Sequence, residues 1–335
     1  MRHAGRRPER GGNSVSTLIW RAAGPDDALA SAVISTRSAR PGSVAEVLAA
    51  TRNDFPLRAA RSQVLGSACS TVDVAERWLR EEPRNADALL LYARTTVARA
   101  VRSVDAKERH WQKLAEIALR ACRRAIAAAP EDPTPLTALL TLARLGHTPQ
   151  AAFGRFEDPA EIKGPWDLFN QIRELDRLHR EGHIRFLHCL GSDADRLHFA
   201  MHVANNTPLG SDPQLLVLVA LVEQYRSKGV EERASSLLDG QWRLRRNLRY
   251  SLDLFDHWFP RARARRHLPI TDLSYLAHAL WAGDGTAHAY EVLRAMGPYG
   301  CAQPWSVFGD PEAGLMRARA QCHLGAQVFP PLGGG

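Results

Sequence analysis

Residues 108–133 read ERHWQKLAEIALRACRRAIAAAPEDP, and this stretch decides the fold class. Its apolar residues recur at spacings of three and four, which is the period of one face of an α-helix. The inward-facing positions are Trp111, Leu114, Ile117, Ala118, Ala121, Cys122 and Ala125. Pro130 and Pro133 follow directly, and proline cannot continue a helix. The stretch therefore predicts a long amphipathic helix over 108–129 that ends at a turn.

The same period extends along the chain in both directions, with hardly any alternation of period two. Further helices are predicted at 72–82, 85–104, 135–145, 166–180, 183–190, 194–205, 213–227, 231–238, 243–258, 272–281, 286–296 and 311–324. The short connections between them are typical of antiparallel helical hairpins. We therefore predict an all-α protein in which stacked antiparallel hairpins form a superhelix or a compact helical bundle.

Small residues and prolines in two of these helix pairs resemble those of tetratricopeptide repeats. Ala118, Cys122 and Ala125 occupy the small-residue positions of the repeat, and Pro130 ends the helix as the family's proline does. Ala93 takes the small-residue position in the helix that follows Pro83.

The resemblance covers roughly residues 70–190, including a degenerate copy over 166–183. Pro83 and Pro130 are 47 residues apart (130 − 83), whereas the repeat has about 34 residues. The glycine and tyrosine positions of the family are mostly replaced. The resemblance implies a tetratricopeptide-like superhelix whose surface binds proteins or peptides.

The composition is that of an ordinary folded protein, since 45% of the 335 residues are hydrophobic and 24% are charged. We expect a disordered basic tail over 1–24, one helical domain over 25–330 with a possible subdivision near 146–165, and a flexible tail over 331–335.

No apolar run approaches the 18 or so residues of a membrane span, and no secretory signal precedes the helices. The five cysteines are scattered without a closely spaced pair, which argues against both a disulfide framework and a thiolate metal site. P-loop, dinucleotide-binding, zincin and nucleophile-elbow motifs are missing as well. We therefore expect a cytoplasmic protein that has no membrane contact, no cofactor and no metal.

Five of the thirteen histidines fall between residues 179 and 202. His198 and His202 are four apart on a predicted helix, so their imidazoles share one face and could bind one metal ion. No further ligands with suitable spacing accompany them, so we predict partly exposed histidines instead. His198, His202, Asp256 and His257 are the candidate acid-base residues if the protein is an enzyme.

Asn247 and Ser251 are also four residues apart. In an all-α chain this spacing resembles the magnesium-binding helix of class I terpene cyclases, in which a third ligand follows four residues later. That position is Phe255, whose ring cannot coordinate a metal ion, and no aspartate-rich motif lies suitably upstream. We interpret the segment as a polar helix face with Phe255 directed inward.

The densest positive charge lies over 243–267, where eight arginines in 25 residues face only Asp253 and Asp256 within the segment. Such a segment is typical of a solvated face in an arginine-rich protein, and arginines interleaved with aromatic residues also suit single-stranded nucleic acid or an acidic protein surface through charge pairing and stacking. We do not expect a nucleic-acid partner, because no recognisable nucleic-acid motif accompanies the charge. The candidate partner-binding residues are Arg243, Arg246, Arg249, Arg261, Arg263, Arg265, Arg266 and Trp258.

Two functions follow. The first is a cytoplasmic helical-repeat binding module or scaffold whose protein partner has an acidic surface. The alternative is an unconventional small-molecule enzyme, a cyclase or isomerase of specialised metabolism, with His and Asp side chains in an aromatic-lined pocket. A closed aromatic cavity that holds His198, His202 or Asp256 would favour the enzyme. A broad open groove without an enclosed polar cluster would favour the scaffold.

Overall fold

A computed structural model describes residues 18–38, 40–146, 162–228 and 240–328. Within these ranges the chain forms sixteen α-helices, three short 3-10 helices and one pair of two-residue strands. The predicted all-α fold class is therefore confirmed.

The first seven helices are α1 (Asp27–Thr36), α2 (Gly42–Ala49), α3 (Phe55–Cys69), α4 (Val74–Glu81), α5 (Ala86–Asp105), α6 (Trp111–Ala128) and α7 (Thr134–Arg144). The remaining nine are α8 (Trp166–Leu175), α9 (Arg180–Cys189), α10 (Asp193–Asn205), α11 (Leu216–Ser227), α12 (Arg245–His257), α13 (Phe259–Arg263), α14 (Ile270–Ala282), α15 (Thr286–Ala295) and α16 (Pro311–Val328). The 3-10 helices are Asp212–Leu215, Gly240–Arg243 and Trp305–Phe308.

Short polar side chains begin several of these helices, as the physics of helix ends requires. Asp26, Asp54 and Asn85 each accept hydrogen bonds from backbone N–H groups in the first turn of α1, α3 and α5. Those N–H groups have no partner inside the helix, so a side-chain acceptor stabilises the helix start. None of the predicted helices covered α1, α2 or α3.

The helix predicted over 166–180 is wrong in extent, because α8 ends at Leu175 and α9 begins at Arg180. The break is fixed by His179, whose Nδ1 accepts a hydrogen bond from the N–H of Gly182 and so acts as the N-cap of α9. Histidine is an unusual cap, and the sequence pattern did not reveal it. The helix predicted over 231–238 lies outside the described residues.

Residues 18–24, which the sequence analysis assigned to the disordered tail, are ordered. β1 (Ile19–Trp20) pairs in parallel with β2 (Tyr299–Gly300), which brings the first described residues against the C-terminal helices. The N–H of Ile19 donates to the carbonyl of Pro298 at 2.8 Å.

Alternate helices pack in a continuous row: α3 against α5, then α7, α9, α11 and α14 in turn. The helices between them lie on the flanks, with α6 against α5 and α7, α8 against α7 and α9, and α10 against α9 and α11. The central position of α7 buries every residue from Thr134 to Leu142.

Buried apolar side chains form two clusters, a smaller one drawn from α1 to α5 and a larger one that includes residues of α5 to α16. Arg58 of α3, 3% exposed, pairs with Asp87 at 2.7 Å and with Asp132 at 2.6 Å. A second buried pair joins Arg94 of α5 to Glu181 of α9.

Gly66 allows α3 to approach α5 at this point, because a Cβ there would lie 2.5 Å from the Cβ of Arg94. Charged side chains are almost never fully buried unless they are paired, and here each one has its counterion. The ion pairs therefore connect helices that are distant in sequence.

Candidate functional site

The arginine-rich segment begins at the last residue of the 3-10 helix Gly240–Arg243 and continues through α12 and α13 into the turn after α13. Its seven predicted partner-binding arginines are all exposed: Arg243, Arg246, Arg249, Arg261, Arg263, Arg265 and Arg266. We call them the arginine surface.

Three of these arginines have partners within the protein. Arg243 pairs with Asp284, Nε to Oδ2 at 2.8 Å, and Arg265 pairs with Asp212, Nη2 to Oδ1 at 2.5 Å. Arg261 donates from Nη1 to the carbonyl of Leu209 at 2.8 Å. The charge is therefore balanced partly by acids outside the segment, which the sequence analysis did not consider.

The other four arginines of the surface, Arg246, Arg249, Arg263 and Arg266, form no ion pair with any other residue that the structure describes. All four residues are exposed. They are the part of the arginine surface that internal contacts do not explain.

Trp258 was predicted to contact a partner, and that prediction is wrong. Its ring is 0% exposed, and its Nε1–H donates to Oδ1 of Asp212 at 2.8 Å. Burial alone would raise the pKa of Asp212, but hydrogen bonds from Arg265 and Trp258 outweigh burial and lower it. Trp258 therefore anchors the corner between α12 and α13 to the 3-10 helix that starts at Asp212.

An open groove of about 510 Å³ lies between the α12–α13 corner and α15, and Arg263 of the arginine surface lines it. Its apolar lining consists of Phe255, Phe259, Pro260 and Ala264, and its polar lining of Asp256, Arg263 and Glu291. The rings of Phe255 and Phe259 stack at 5.2 Å, and His288 meets Phe255 edge-on at 4.9 Å. Of the four candidate acid-base residues, only Asp256 lies in this groove. His257 is exposed and does not line it.

The charges of α12 oppose its helix dipole. Arg245 and Arg246 lie in the first turn, where the partial charge is positive, and Asp253 and Asp256 lie towards the negative C-terminus. Each such placement costs about 0.3–1 kcal/mol at a surface. The order of charges along α12 is thus not explained by helix stability. Departures from such local preferences, here the charge preferred at each helix end, are expected most often at functional sites.

Asn247 and Ser251, the pair that resembles a magnesium-binding helix, form hydrogen bonds to the backbone. Asn247 donates from Nδ2 to the carbonyl of Gln241 at 2.8 Å, and Ser251 donates to the carbonyl of Asn247 at 3.0 Å. Ser251 is buried, so the pair does not form an exposed polar face. Within the described residues no group of three or more His, Cys, Asp or Glu side chains could hold a metal ion.

His198 and His202 both lie on α10, and the structure separates their surroundings. His202 lines a small pocket between α8, α9 and α10, whereas His198 lines neither this pocket nor the groove. We call it the α8–α10 pocket. Its volume is about 40 Å³, which is room for roughly three water molecules. It is aromatic-lined and contains a candidate histidine, but it is too small to enclose a cyclisation substrate.

Sequence reasoning missed the apolar half of the groove. Phe255 was interpreted as directed inward on a polar helix, and the stacking of Phe259 on it across the α12–α13 corner was not predicted. It also missed the acids Asp212 and Asp284, which come from distant parts of the chain. The sequence contained one indication of this groove. Phe255 and Phe259 lie between two groups of arginines, one at 243–249 and one at 261–266.

Comparisons with known proteins leave the function to be argued from this geometry. No family model matches the sequence, and searches of curated proteins and of solved structures find no match. In the described ranges, no helix combines the length and apolar character needed to cross a membrane.

Proposed function

We propose that the protein is a helical-repeat binding module that engages an acidic protein partner through the arginine surface and its adjoining groove. The observation that carries the proposal is a groove lined by Arg263, in a segment that holds four exposed arginines without an ion pair to the rest of the described protein. A partner segment with carboxylates and one or two apolar side chains would match both features.

The apolar lining supports a protein partner over a purely ionic one. Exposed ion pairs alone contribute only about 0–1 kcal/mol each and weaken with salt. The exposed parts of Phe255 and Pro260 add apolar area whose burial on binding does not depend on salt. Affinity would come from this burial, and the choice of an acidic partner from Arg246, Arg249 and Arg263.

Catalysis is the weaker alternative. An enzyme of the cyclase or isomerase type would need its acid-base residues in one enclosed cavity, yet His202 and Asp256 line different pockets. The α8–α10 pocket has room for only about three water molecules. A cytoplasmic location is part of our proposal, since all five cysteines are free thiols.

The test uses a fluorescein-labelled peptide of Glu and Asp residues with two Phe residues, measured by fluorescence anisotropy at several salt concentrations. Replacing Arg246, Arg249, Arg263 and Arg266 with Ser should weaken binding about tenfold at low salt and flatten the salt dependence. Stability should change little, because exposed charges contribute little to folding.

The matched control replaces Arg84, Arg120, Arg123 and Arg124 with Ser, which removes the same charge from exposed positions elsewhere. The proposal requires the control to bind as the wild type does. Equal losses in both variants would show a general charge effect and contradict the proposal, as would an unchanged salt slope in the first variant. If the fourfold variant does not fold, peptide binding is measured with the single variant Arg263→Ser instead.

A further inference from the structure

The α8–α10 pocket has the features of a ligand site distinct from the arginine surface. Its floor is a rigid aromatic cluster in which the ring of Phe169 lies 5.5 Å from that of Phe199 and 6.0 Å from that of Trp166. All three rings are at least 95% buried. The floor therefore offers an apolar surface that does not need to rearrange when a small molecule binds.

Two arginines form the rim. Arg173 holds its guanidinium over the ring of Phe169, 5.8 Å from the centroid, and Arg177 lines the same opening. Neither pairs with an acid among the described residues, and none of the described residues that line the pocket is acidic. Guanidinium groups of this kind bind carboxylates through paired hydrogen bonds.

His183 supplies a buried polar group at the pocket. Its ring is 2% exposed, and burial lowers the pKa to about 4, so the imidazole is neutral at physiological pH. Nδ1 lies 2.9 Å from the carbonyl of His179. Because a carbonyl can only accept, Nδ1 carries the proton and Nε2 carries a lone pair. Nε2 is thus the ring nitrogen left for a ligand, and it can only accept a hydrogen bond.

From these features we infer that the α8–α10 pocket binds a short 2-hydroxy monocarboxylate, a molecule of the size of lactate. The carboxylate lies between Arg173 and Arg177 at the rim, and the hydroxyl donates to Nε2 of His183. Beyond its carboxylate, lactate has about three carbon and oxygen atoms, and the pocket has room for roughly three water molecules. A 2-amino acid fits less well, because its ammonium group would meet two arginines and no acid.

Saturation-transfer NMR with the full chain measures the binding of lactate, lactamide, propionate and alanine. Lactamide removes the charge, propionate removes the hydroxyl, and alanine replaces the hydroxyl with an ammonium group. We expect lactate to bind at least about tenfold more tightly than each of the other three, because lactamide loses the charge, propionate loses the hydroxyl donor, and the ammonium group of alanine is repelled by the two arginines.

Three variants locate the site. Arg173→Gln with Arg177→Gln should reduce lactate to the affinity of lactamide, and His183→Phe should remove the preference for lactate over propionate. Arg84→Gln with Arg120→Gln, the charge-matched control, should bind lactate as the wild type does. A thermal melt of each variant confirms that it is folded.

The inference is overturned if lactate binds no better than the other three molecules, or if its preference survives in the Arg173 and Arg177 variant. It does not depend on the proposed function. The variant that lacks four arginines of the arginine surface should still bind lactate, so the two proposals can fail separately.

Discussion

His278 of α14 lies in a box of aromatic rings, with Phe308 stacked at 4.3 Å and Trp242 and Trp305 each edge-on at 5.2 Å. The ring is 1% exposed, and burial lowers the pKa to about 3. No charged group offsets that burial, so the folded protein holds this imidazole neutral far below the pH at which an exposed histidine is protonated.

This histidine should make the protein labile to acid. The unfolded chain binds a proton on His278 near pH 6.5, whereas the folded chain does so only near pH 3. Between these values the unfolded state holds more protons, so the free energy of unfolding falls as the pH falls from 6.5 towards 3. His278→Phe keeps an aromatic ring and should reduce that slope in urea unfolding at pH 7.5, 5.5 and 4.5.

His257→Phe, at an exposed position, controls for the general effect of replacing a histidine with phenylalanine. If His278→Phe and the wild type lose stability equally with acid, the loss arises elsewhere. Burial also lowers the pKa of His183, so part of the slope should survive in the variant.

Glu181 provides a second test at the residue scale. Burial alone would raise the pKa of this carboxyl, but the charges of Arg94 and Arg185 outweigh burial and lower the pKa to about 2. Glu181→Gln leaves Arg94, 5% exposed, without a full counterion and should cost about 3–5 kcal/mol in urea unfolding.

Arg94→Met combined with Glu181→Gln should cost clearly less than the sum of the two single variants, since the uncompensated buried charge is then absent. Strict additivity of the two changes would contradict a direct pairing. Arg120→Met, at an exposed position of α6, controls for the general effect of replacing an arginine.

At the scale of elements, α5 and α6 are the pair on which the repeat resemblance rests. Both are long, at 20 and 18 residues, and this length accounts for the wide spacing between Pro83 and Pro130. The small residues Ala118, Cys122 and Ala125 are each at most 1% exposed, which lets neighbouring helices approach closely. The tetratricopeptide-like arrangement itself stays a prediction.

Ala125→Leu tests the close packing. Three added carbon atoms have no free volume at a fully buried contact, so the variant should overpack the interface and lose about 1–3 kcal/mol in urea unfolding. Ala127→Leu makes the same change at an exposed position of α6 and should be nearly neutral. An unchanged midpoint for Ala125→Leu would remove the main support for the repeat resemblance.

At the scale of the whole molecule, ion pairs and one strand pair join parts of the chain that are distant in sequence. Arg180 pairs with Asp272, and Asp26 pairs with Arg61 at 2.8 Å while His267 lies 3.6 Å from the same carboxylate. The strand pair between Ile19–Trp20 and Tyr299–Gly300 adds a link between the first and last parts of the described chain.

We expect the removal of metal ions to leave the fold unchanged. The described residues include no group of three or more ligating side chains close enough to bind one ion. We expect the melting temperature after treatment with a strong chelator to agree with that of untreated protein within about one degree, as measured by circular dichroism. Stoichiometric zinc or iron whose loss lowers the melting temperature by many degrees would contradict this expectation.

The sequence by itself determined the helical fold class and many of the helix positions. Periods of three and four, ended by prolines, predicted α6 over 108–129, and the observed helix spans 111–128. Such signals are local, because the hydrophobic face and the stop are both written within a few turns. The exposure of seven arginines in one segment was predictable for the same reason.

Only the tertiary structure decided which of those charges remain without an ion pair. Asp212 lies about fifty residues before Arg265, and Asp284 about forty after Arg243, so no local pattern could pair them. Trp258 is buried because its indole N–H meets that same Asp212, although its neighbours in sequence suggested exposure. His202 and His183 face one pocket because α9 and α10 pack together there. Periodicity sets which face of a helix is apolar, whereas the partner of each polar group depends on how distant helices pack.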